Sequence, residues 1–325
     1  MDYFLQLKKL PHNNFDIVIP FLKFEKELAR ELFLQNKEVF FKNDKILMVE
    51  RLSEKPIWAQ DWWTNCEKFE ITSKSQLLKL LKAEKNLGVY YPSTSSALAD
   101  STRKDLRELK LKRIEYKVPS DFDFRFFSWT MIENHTAIIA RNATCQFPLG
   151  WHEFNEDKAT PPNRAYLKLW EILCLNYIQL TPENTVIDLG SSPGGWSWVL
   201  SQNVKKVYSI DKAQLDDKIA NIPQIVFNSE DAFKVKPQDY LDCQWLFSDI
   251  ICTPDRLLSL IQHWQLNSKV ENFVCTIKFK GDCDFNILKE FLKIENSFII
   301  HLYQNKNEVT WIKTKNGHCK AKDTL

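Results

Sequence analysis

Three of the 7 glycines in this 325-residue chain, Gly190, Gly194 and Gly195, fall within six residues. They belong to the stretch Thr185-Val186-Ile187-Asp188-Leu189-Gly190-Ser191-Ser192-Pro193-Gly194-Gly195-Trp196. Val186 to Leu189 predicts a short buried strand, and Trp196 to Leu200 predicts the first turns of a helix. Strand, glycine loop and helix start, in that order, form a ligand cradle. Glycine lets backbone approach a ligand, and the free N–H groups of a first helical turn favour a carboxylate or phosphate. An ordinary tight turn uses the same residues, so the loop alone does not decide. Its spacing, Gly-x-x-Pro-Gly-Gly, is not the Gly-x-Gly-x-x-Gly of dinucleotide sites. Asp211 ends the next apolar strand, Lys206 to Ile210. It lies about 20 residues past the loop, where a doubly wound fold places the carboxylate that binds a ribose diol.

The elements around this loop alternate. Strands are expected at Val186–Leu189, Val207–Ile210, Ile225–Phe227, Trp245–Ser248, Phe273–Ile277, Phe298–Tyr303 and Val309–Ile312. Helices are expected from Arg164 and over Trp196–Gln202, Pro254–Gln265 and Phe285–Ile294. The alternation predicts a Rossmann-like α/β sheet wrapped by helices, with its last two strands joined by Gln304 to Asn307 as a hairpin. A polar stretch with three prolines, 148–163, predicts a linker. The expected division is an N-terminal region over 1–147, a second domain over 164–315 and a tail over 316–325.

The N-terminal region predicts a small α+β unit. Tyr3 to Leu7 is a strand candidate, and Phe21 to Leu34 is amphipathic, with Phe21, Leu22, Leu28, Leu32 and Phe33 available for burial. Val39–Phe41 and Ile46–Val49 predict a hairpin around Asn43-Asp44. A helix over Ser73–Lys85, a strand over Gly88–Tyr91 and a hairpin of Phe124–Met131 with Ala137–Asn142 follow. Trp58, Trp62 and Trp63 offer either a stacking surface for bases or a hydrophobic seam, and their large apolar surface favours the seam. Arg103 to Arg113 holds six basic residues. They can neutralise phosphates, or form a solvated helix face partly balanced by Asp105 and Glu108.

With 44% hydrophobic and 26% charged residues the composition is that of a soluble protein. No apolar run is long enough to span a bilayer, and Met1-Asp2-Tyr3 opens nothing like an export signal. Eight cysteines without a Cys-x-x-Cys pair point to reduced thiols in a cytoplasm rather than a disulfide framework or a zinc site, and His318-Cys319 is read as a chance pair. No metal is expected. Net charge is +2, divided as 24 basic and 20 acidic residues over 1–150 and 20 and 22 over 151–325. That is weak support for a nucleic-acid face on the N-terminal half.

Apolar strands deliver Asp249 and Lys278 to the carboxyl edge, where open α/β sheets bind ligands. Taken singly, Lys168 and Glu308 read as surface charges. As an ordered set with the glycine loop, these residues resemble a family. The run Asp188 to Trp196 resembles the S-adenosylmethionine loop of FtsJ-type ribose 2′-O-methyltransferases. Leu167-Lys168-Leu169, Ser248-Asp249-Ile250, Ile277-Lys278-Phe279 and Glu308-Val309-Thr310 resemble the surroundings of that family's Lys-Asp-Lys-Glu tetrad. The longer likeness is to the RlmM branch, which methylates a cytidine ribose of large-subunit (23S) ribosomal RNA. It covers 160–313 and, more weakly, 20–65, where Phe24 to Glu27 and Trp58 to Trp62 carry it.

This resemblance implies S-adenosylmethionine held by Asp188, Gly190, Ser192, Pro193, Gly194, Gly195 and Trp196, with Asp211 at the ribose, Asp231 facing the adenine amino group and Asp249 beside them. It implies catalysis by Lys168, Asp249, Lys278 and Glu308. It also implies a THUMP and ferredoxin-like RNA-binding region, shortened between Gly88 and Val118. The expected partner is RNA, 23S rRNA or a large-subunit precursor, met by a monomer away from membranes. The alternative is a catalytically silent RNA-binding protein of ribosome assembly.

Methylating a ribose hydroxyl requires that a poor nucleophile be aligned and lose its proton. Lys278 is assigned that role. Lysine suits it because its pKa moves with its surroundings, whereas arginine stays charged. Lys168 nearby would lower the pKa of Lys278, while Asp249 and Glu308 would raise it. Lys280 would project from the same side if the strand continued, which makes it the competing assignment. After the strand ending at Ser248 the chain reads Asp249-Ile250-Ile251, not the Asn-Pro-Pro-Tyr of amino methylation, and Ile251-Cys252-Thr253-Pro254 is not a usual setting for a nucleophilic cysteine. A nicotinamide-dependent dehydrogenase is disfavoured by the missing dinucleotide fingerprint.

Overall fold

The computed structural model describes residues 11–116, 125–143, 145 and 147–317. The strand expected at Tyr3–Leu7, the residue Phe124 and the pair His318-Cys319 lie outside the described residues. The chain forms two compact units, Met1–Ile114 with Val118–Glu153, and Glu115–Lys117 with Phe154–Leu325. The main division therefore falls inside the proline-marked stretch.

The first unit runs β1 (Asn13–Pro20), α1 (Glu25–Leu34), β2 (Val39–Lys42), β3 (Leu47–Glu50), β4 (Ala59–Glu70), α2 (Lys74–Lys82), β5 (Leu87–Tyr90), α3 (Ala97–Arg103), β6 (Phe126–Ile132), β7 (Thr136–Ala140) and β8 (Asn142–Ala143). Its sheet has the order β2-β3-β1-β4-β7-β6-β5, with β8 on β4. Trp58 and Trp63 are fully buried, and Trp63 joins Phe15, Ile17, Met48 and Ile138 in one core cluster. Trp62 donates its indole N–H to Asp16 at 2.9 Å. The tryptophans are thus committed to packing, as their apolar area favours. The helix over Phe21–Leu34 begins only at Glu25. It buries Leu28 and Leu32 but leaves Leu22 and Phe33 at 80% and 76% exposure.

The basic stretch corrects its sequence reading. Only Arg103 is helical. The chain then runs alongside β5, through a parallel bridge of Gly88 with Glu108 and a hydrogen bond from Leu109 N–H to Gly88 C=O at 3.1 Å. It covers a sheet edge rather than forming a helix face.

The second unit runs α4 (Tyr166–Cys174), β9 (Thr185–Leu189), α5 (Gly195–Ser201), β10 (Lys206–Asp211), α6 (Asp217–Ala220), β11 (Ile225–Ser229), β12 (Trp245–Ser248), α7 (Pro254–Asn267), β13 (Asn272–Lys278), α8 (Phe285–Leu292), β14 (Ser297–Ile300) and β15 (Glu308–Lys313). The sheet order is β11-β10-β9-β12-β13-β15-β14. The first five strands are mutually parallel, β15 is antiparallel to β13, and β14 is antiparallel to β15. β9 and β12 are buried along their whole lengths, which is why they read as mainly apolar rather than alternating, with Asp188 the one charged side chain buried among them. Trp264 of α7 and Phe291 of α8 are fully buried, each contributing roughly 1.5–3 kcal/mol of apolar burial.

The chain leaves β9 toward β10 and β11, then returns to β12 on the other side of β9. This reversal opens a crevice at the carboxyl ends of β9 and β12, the place where such sheets bind ligands. The segment Glu115–Lys117 belongs to this unit because Tyr116 stacks on Trp170 of α4, with ring centroids 4.5 Å apart and planes 5° from parallel.

Candidate active site

β9 ends at Leu189 and the glycine loop begins at the crevice. Gly190 has φ +77° and Gly194 φ +116°, conformations that side chains rarely adopt. A Cβ on Gly190 would stand 2.9 Å from Ile250 Cβ, and one on Gly194 2.7 Å from Ile219 Cγ2. Gly195 packs against the Asn163 side chain. At Gly190 and Gly194 the loop therefore has no room for a side chain. Ser192 N–H donates to Asp211 at 3.0 Å, and Ser192 Oγ donates to Gln214 C=O at 2.8 Å. Trp196 is buried and donates its indole N–H to Ala165 C=O at 2.9 Å, tying the loop to the start of α4.

Asp188 lies under this loop, 1% exposed, with its carboxylate accepting from Ser197 Oγ at 2.7 Å. Burial pushes its pKa up to about 7, against the lowering effect of Ser197, and the nearby charges of Asp249 and Asp211 push the same way. Asp211 ends β10 and accepts from both Ser192 N–H and Ala213 N–H. Asp231, beyond β11, accepts from Phe233 N–H at 3.0 Å and pairs with Lys212 at 2.9 Å, and Lys212 holds its carboxyl below the usual range.

Four charged groups meet at the other side of the crevice. Lys168, on α4, reaches Asp249 Oδ1 at 2.9 Å and Oδ2 at 3.1 Å, and Glu308 Oε1 at 2.6 Å. Lys278, at the end of β13, reaches Asp249 Oδ1 at 3.0 Å and the Asp249 C=O at 2.5 Å. The groups form a chain, Glu308 to Lys168 to Asp249 to Lys278. Antiparallel register sets Lys278 directly opposite Glu308 on β15. Lys168 is the buried member, with a side chain 9% exposed, and Lys278 is the open one at 21%. Burial opposes charge on Lys168, but Asp249 and Glu308 overcome it and raise its pKa above the ordinary lysine value. Lys168 is thus a fixed cation.

β13 stops at Lys278, and exposed Lys280 lies beyond the strand. The Phe279 N–H donates to Asn307 C=O, and the Asn307 side chain donates to Phe279 and Gly281 C=O, turning the chain away. Burial pushes the Cys252 thiol up, against the lowering effect of Arg256 and Lys278, so no low-pKa nucleophile stands there.

Residues 161–320 match the FtsJ-like methyltransferase family. This half of the chain is an FtsJ-like methyltransferase domain. Among curated proteins, the ribosomal RNA large subunit methyltransferase M of Haemophilus influenzae strain PittGG is 26% identical over 203 residues, which cover 57% of this chain and 53% of that protein. The protein of the same name from Shewanella sp. strain ANA-3 is 28% identical over 180 residues, covering 48% of each. The matched region spans about half the length of these relatives. Among solved structures, a chain from Streptococcus thermophilus described as a hemolysin is 16% identical, covers 51% of this chain and 71% of its own, and has a TM-score of 0.39.

Such a domain takes S-adenosylmethionine. The residues present fit that group. A glycine-rich loop, which an added Cβ at Gly190 or Gly194 would jam, lies at the carboxyl end of β9 beside a carboxylate at the end of the adjoining strand. Two groups that hold this region in place were missed by the sequence reading. Glu171, one turn beyond Lys168 and 2% exposed, accepts from Tyr303 N–H at 2.8 Å and Gln304 N–H at 3.1 Å. It anchors the loop that leads into Glu308. Asn163 supports Gly195 and accepts from Ala165 N–H at 3.0 Å. The helical spacing of Lys168 and Glu171 was the one available clue to the first.

Proposed function

We propose that the protein is an S-adenosylmethionine-dependent RNA ribose 2′-O-methyltransferase acting on a cytidine of large-subunit (23S) ribosomal RNA. In this reading the N-terminal unit is a THUMP-like RNA-binding region and the protein works as a cytoplasmic monomer. The observation that carries it is the ion-paired chain of Lys168, Asp249, Lys278 and Glu308 at the carboxyl edge beside the glycine loop.

The cofactor, when bound, supplies a methyl group already activated by its sulfonium charge. The chain's own residues then align and deprotonate the hydroxyl. Lys278 Nζ has two acceptors in place, the Asp249 C=O and Oδ1. These two contacts take two of the three positions on Nζ, and the third is left to face the 2′-hydroxyl; once the amine has given up a proton of its own, the lone pair there accepts the hydroxyl proton. Asp249 keeps Lys278 in that orientation. Lys168, held protonated, fixes Asp249 and Glu308 through its own bonds. Gly190, Ser192, Gly194 and Gly195 cradle the methionine part, Asp211 takes the ribose and Asp231 the adenine amino group.

The test is transfer from labelled S-adenosylmethionine to rRNA of a strain lacking this gene, with the product digested to nucleosides. Label in 2′-O-methylcytidine is expected. Label in a base overturns the reading of the tetrad, and cofactor binding without transfer to rRNA or to ribosomal particles points to the silent alternative.

A further inference from the structure

A cavity of about 310 Å³ opens in the first unit between the end of α2, β5 and the edge-covering segment after α3. Its volume is at the lower end of the range for small-ligand sites, room for one nucleotide-sized group. Leu81, Leu106 and Phe127 give it apolar walls. Phe127 lies directly beneath Gly88, where an added Cβ would come within 2.7 Å of its ring.

The charges around it are not balanced in the way their number suggests. Glu84, Asp105 and Glu108 line the cavity, but each is already paired. Glu84 takes Arg141 at 2.7 Å, Asp105 takes Lys74 at 2.6 Å and Glu108 takes Arg103 at 2.9 Å. Lys82 and Arg107 line the same cavity without a close ion pair to a described residue, although the charge of Lys82 helps Lys74 hold the Asp105 carboxyl down. Asn86 also lines this space, and its amide makes no side-chain hydrogen bond to a described residue. What is left over is two cations, one amide with both donor and acceptor, and an apolar wall.

We propose that this cavity binds one unpaired nucleotide, with its phosphate on Lys82 and Arg107 and its base edge on Asn86. Arginine and lysine are the side chains that take phosphate, and a carboxamide pairs with the hydrogen-bonding edge of a base. The site deepens the RNA reading above and rests on it for the expectation that the nucleotide belongs to a strand. A free nucleotide has the same chemistry and is the other source.

The experiment uses the full chain. Binding of a labelled single-stranded octaribonucleotide is followed by fluorescence anisotropy over a range of salt, and binding of CMP and AMP by calorimetry. The double variant Lys82→Glu/Arg107→Glu is expected to weaken the octamer at least tenfold and to flatten its salt dependence by about 0.7 in the log–log slope, the value for one phosphate contact on a single strand. Asn86→Ala is expected to weaken it several-fold without changing the slope. All three positions are exposed, so melting temperature and S-adenosylmethionine affinity stay those of the parent. Loss of octamer binding with no mononucleotide binding assigns the site to a strand, whereas mononucleotide binding that the variants abolish assigns it to a free nucleotide. Unchanged binding in the variants, or an equal loss in a Lys205→Glu/Lys289→Glu control, overturns the proposal. If rRNA accepts no label while the octamer still needs Lys82 and Arg107, the cavity stands and the methyl-transfer reading falls.

Discussion

Lys168→Met and Lys278→Met remove one cation each from the same cluster, yet the structure predicts different outcomes. Lys168 is 9% exposed and bridges two carboxylates at 2.6–3.1 Å. Its removal leaves Glu308, 11% exposed, without its ion-pair partner. Breaking a buried pair in this way costs about 3–5 kcal/mol. For a domain of this size that lowers the melting temperature by roughly 6–20 °C. Lys278 is 21% exposed, and its partner Asp249 keeps Lys168. Its removal costs about 1 kcal/mol. In the proposed mechanism it also removes the proton acceptor, lowering the rate of transfer about 10²–10⁴-fold.

Scanning calorimetry, single-turnover transfer and calorimetric S-adenosylmethionine binding separate these effects. Lys278→Met should melt within a few degrees of the parent, bind cofactor and fail in transfer. Lys168→Met should melt far lower. A Lys278→Met protein within tenfold of the parent rate, or a Lys168→Met protein of parental stability, refutes the division of labour. There is also a pH signature. Asp249 and Glu308 overcome the burial penalty and raise the folded pKa of Lys168. Its stabilisation is therefore complete below the unfolded lysine pKa of about 10.4 and is lost as pH rises through the folded value. Lys168→Met should lack that alkaline loss.

Gly190→Ala forces a side chain into φ +77° and against Ile250, so it should lower S-adenosylmethionine affinity more than tenfold by calorimetry; parental affinity would show that the loop is not the cradle. Asp188 has a folded pKa raised to about 7 by burial, so the folded state holds the extra proton and stability falls as pH rises from about 4 to 7. Asp188→Asn, neutral throughout, should flatten that part of the profile of denaturation midpoints, and an unchanged slope would place the titration elsewhere. Glu171→Ala leaves Tyr303 N–H and Gln304 N–H without their carboxylate and should destabilise the methyltransferase domain by about 2–4 kcal/mol while lowering kcat more than it changes the RNA KM. Parental kcat in that variant would mean that Glu308 does not depend on the loop Glu171 holds.

The sequence by itself determined the α/β half of the chain, because strands buried on both faces are mainly apolar and the turns at Gly190 and Gly194 leave no room for a side chain. Val186–Leu189, Trp245–Ser248 and Phe273–Ile277 could be read directly, as could the antiparallel pairing of the last two strands. Asp249 and Lys278 were legible because apolar strands end on them. Other features were decided only by tertiary structure. Arg103 to Arg113 has the charge pattern of a helix face, but the exposed edge of β5 captured it as a pairing segment, since an open edge satisfies backbone groups that a short polar helix leaves to water. Leu22 and Phe33 fit an amphipathic stripe but fall outside the buried arc once the helix starts at Glu25. Tyr116 lies far along the chain from Trp170 and reaches it only in the folded protein. Taken singly, Lys168 reads from sequence as a surface charge, and Glu171 shows only its helical spacing from it. Which partner each meets was set by loops that return from more than a hundred residues away, a pairing that local pattern does not encode.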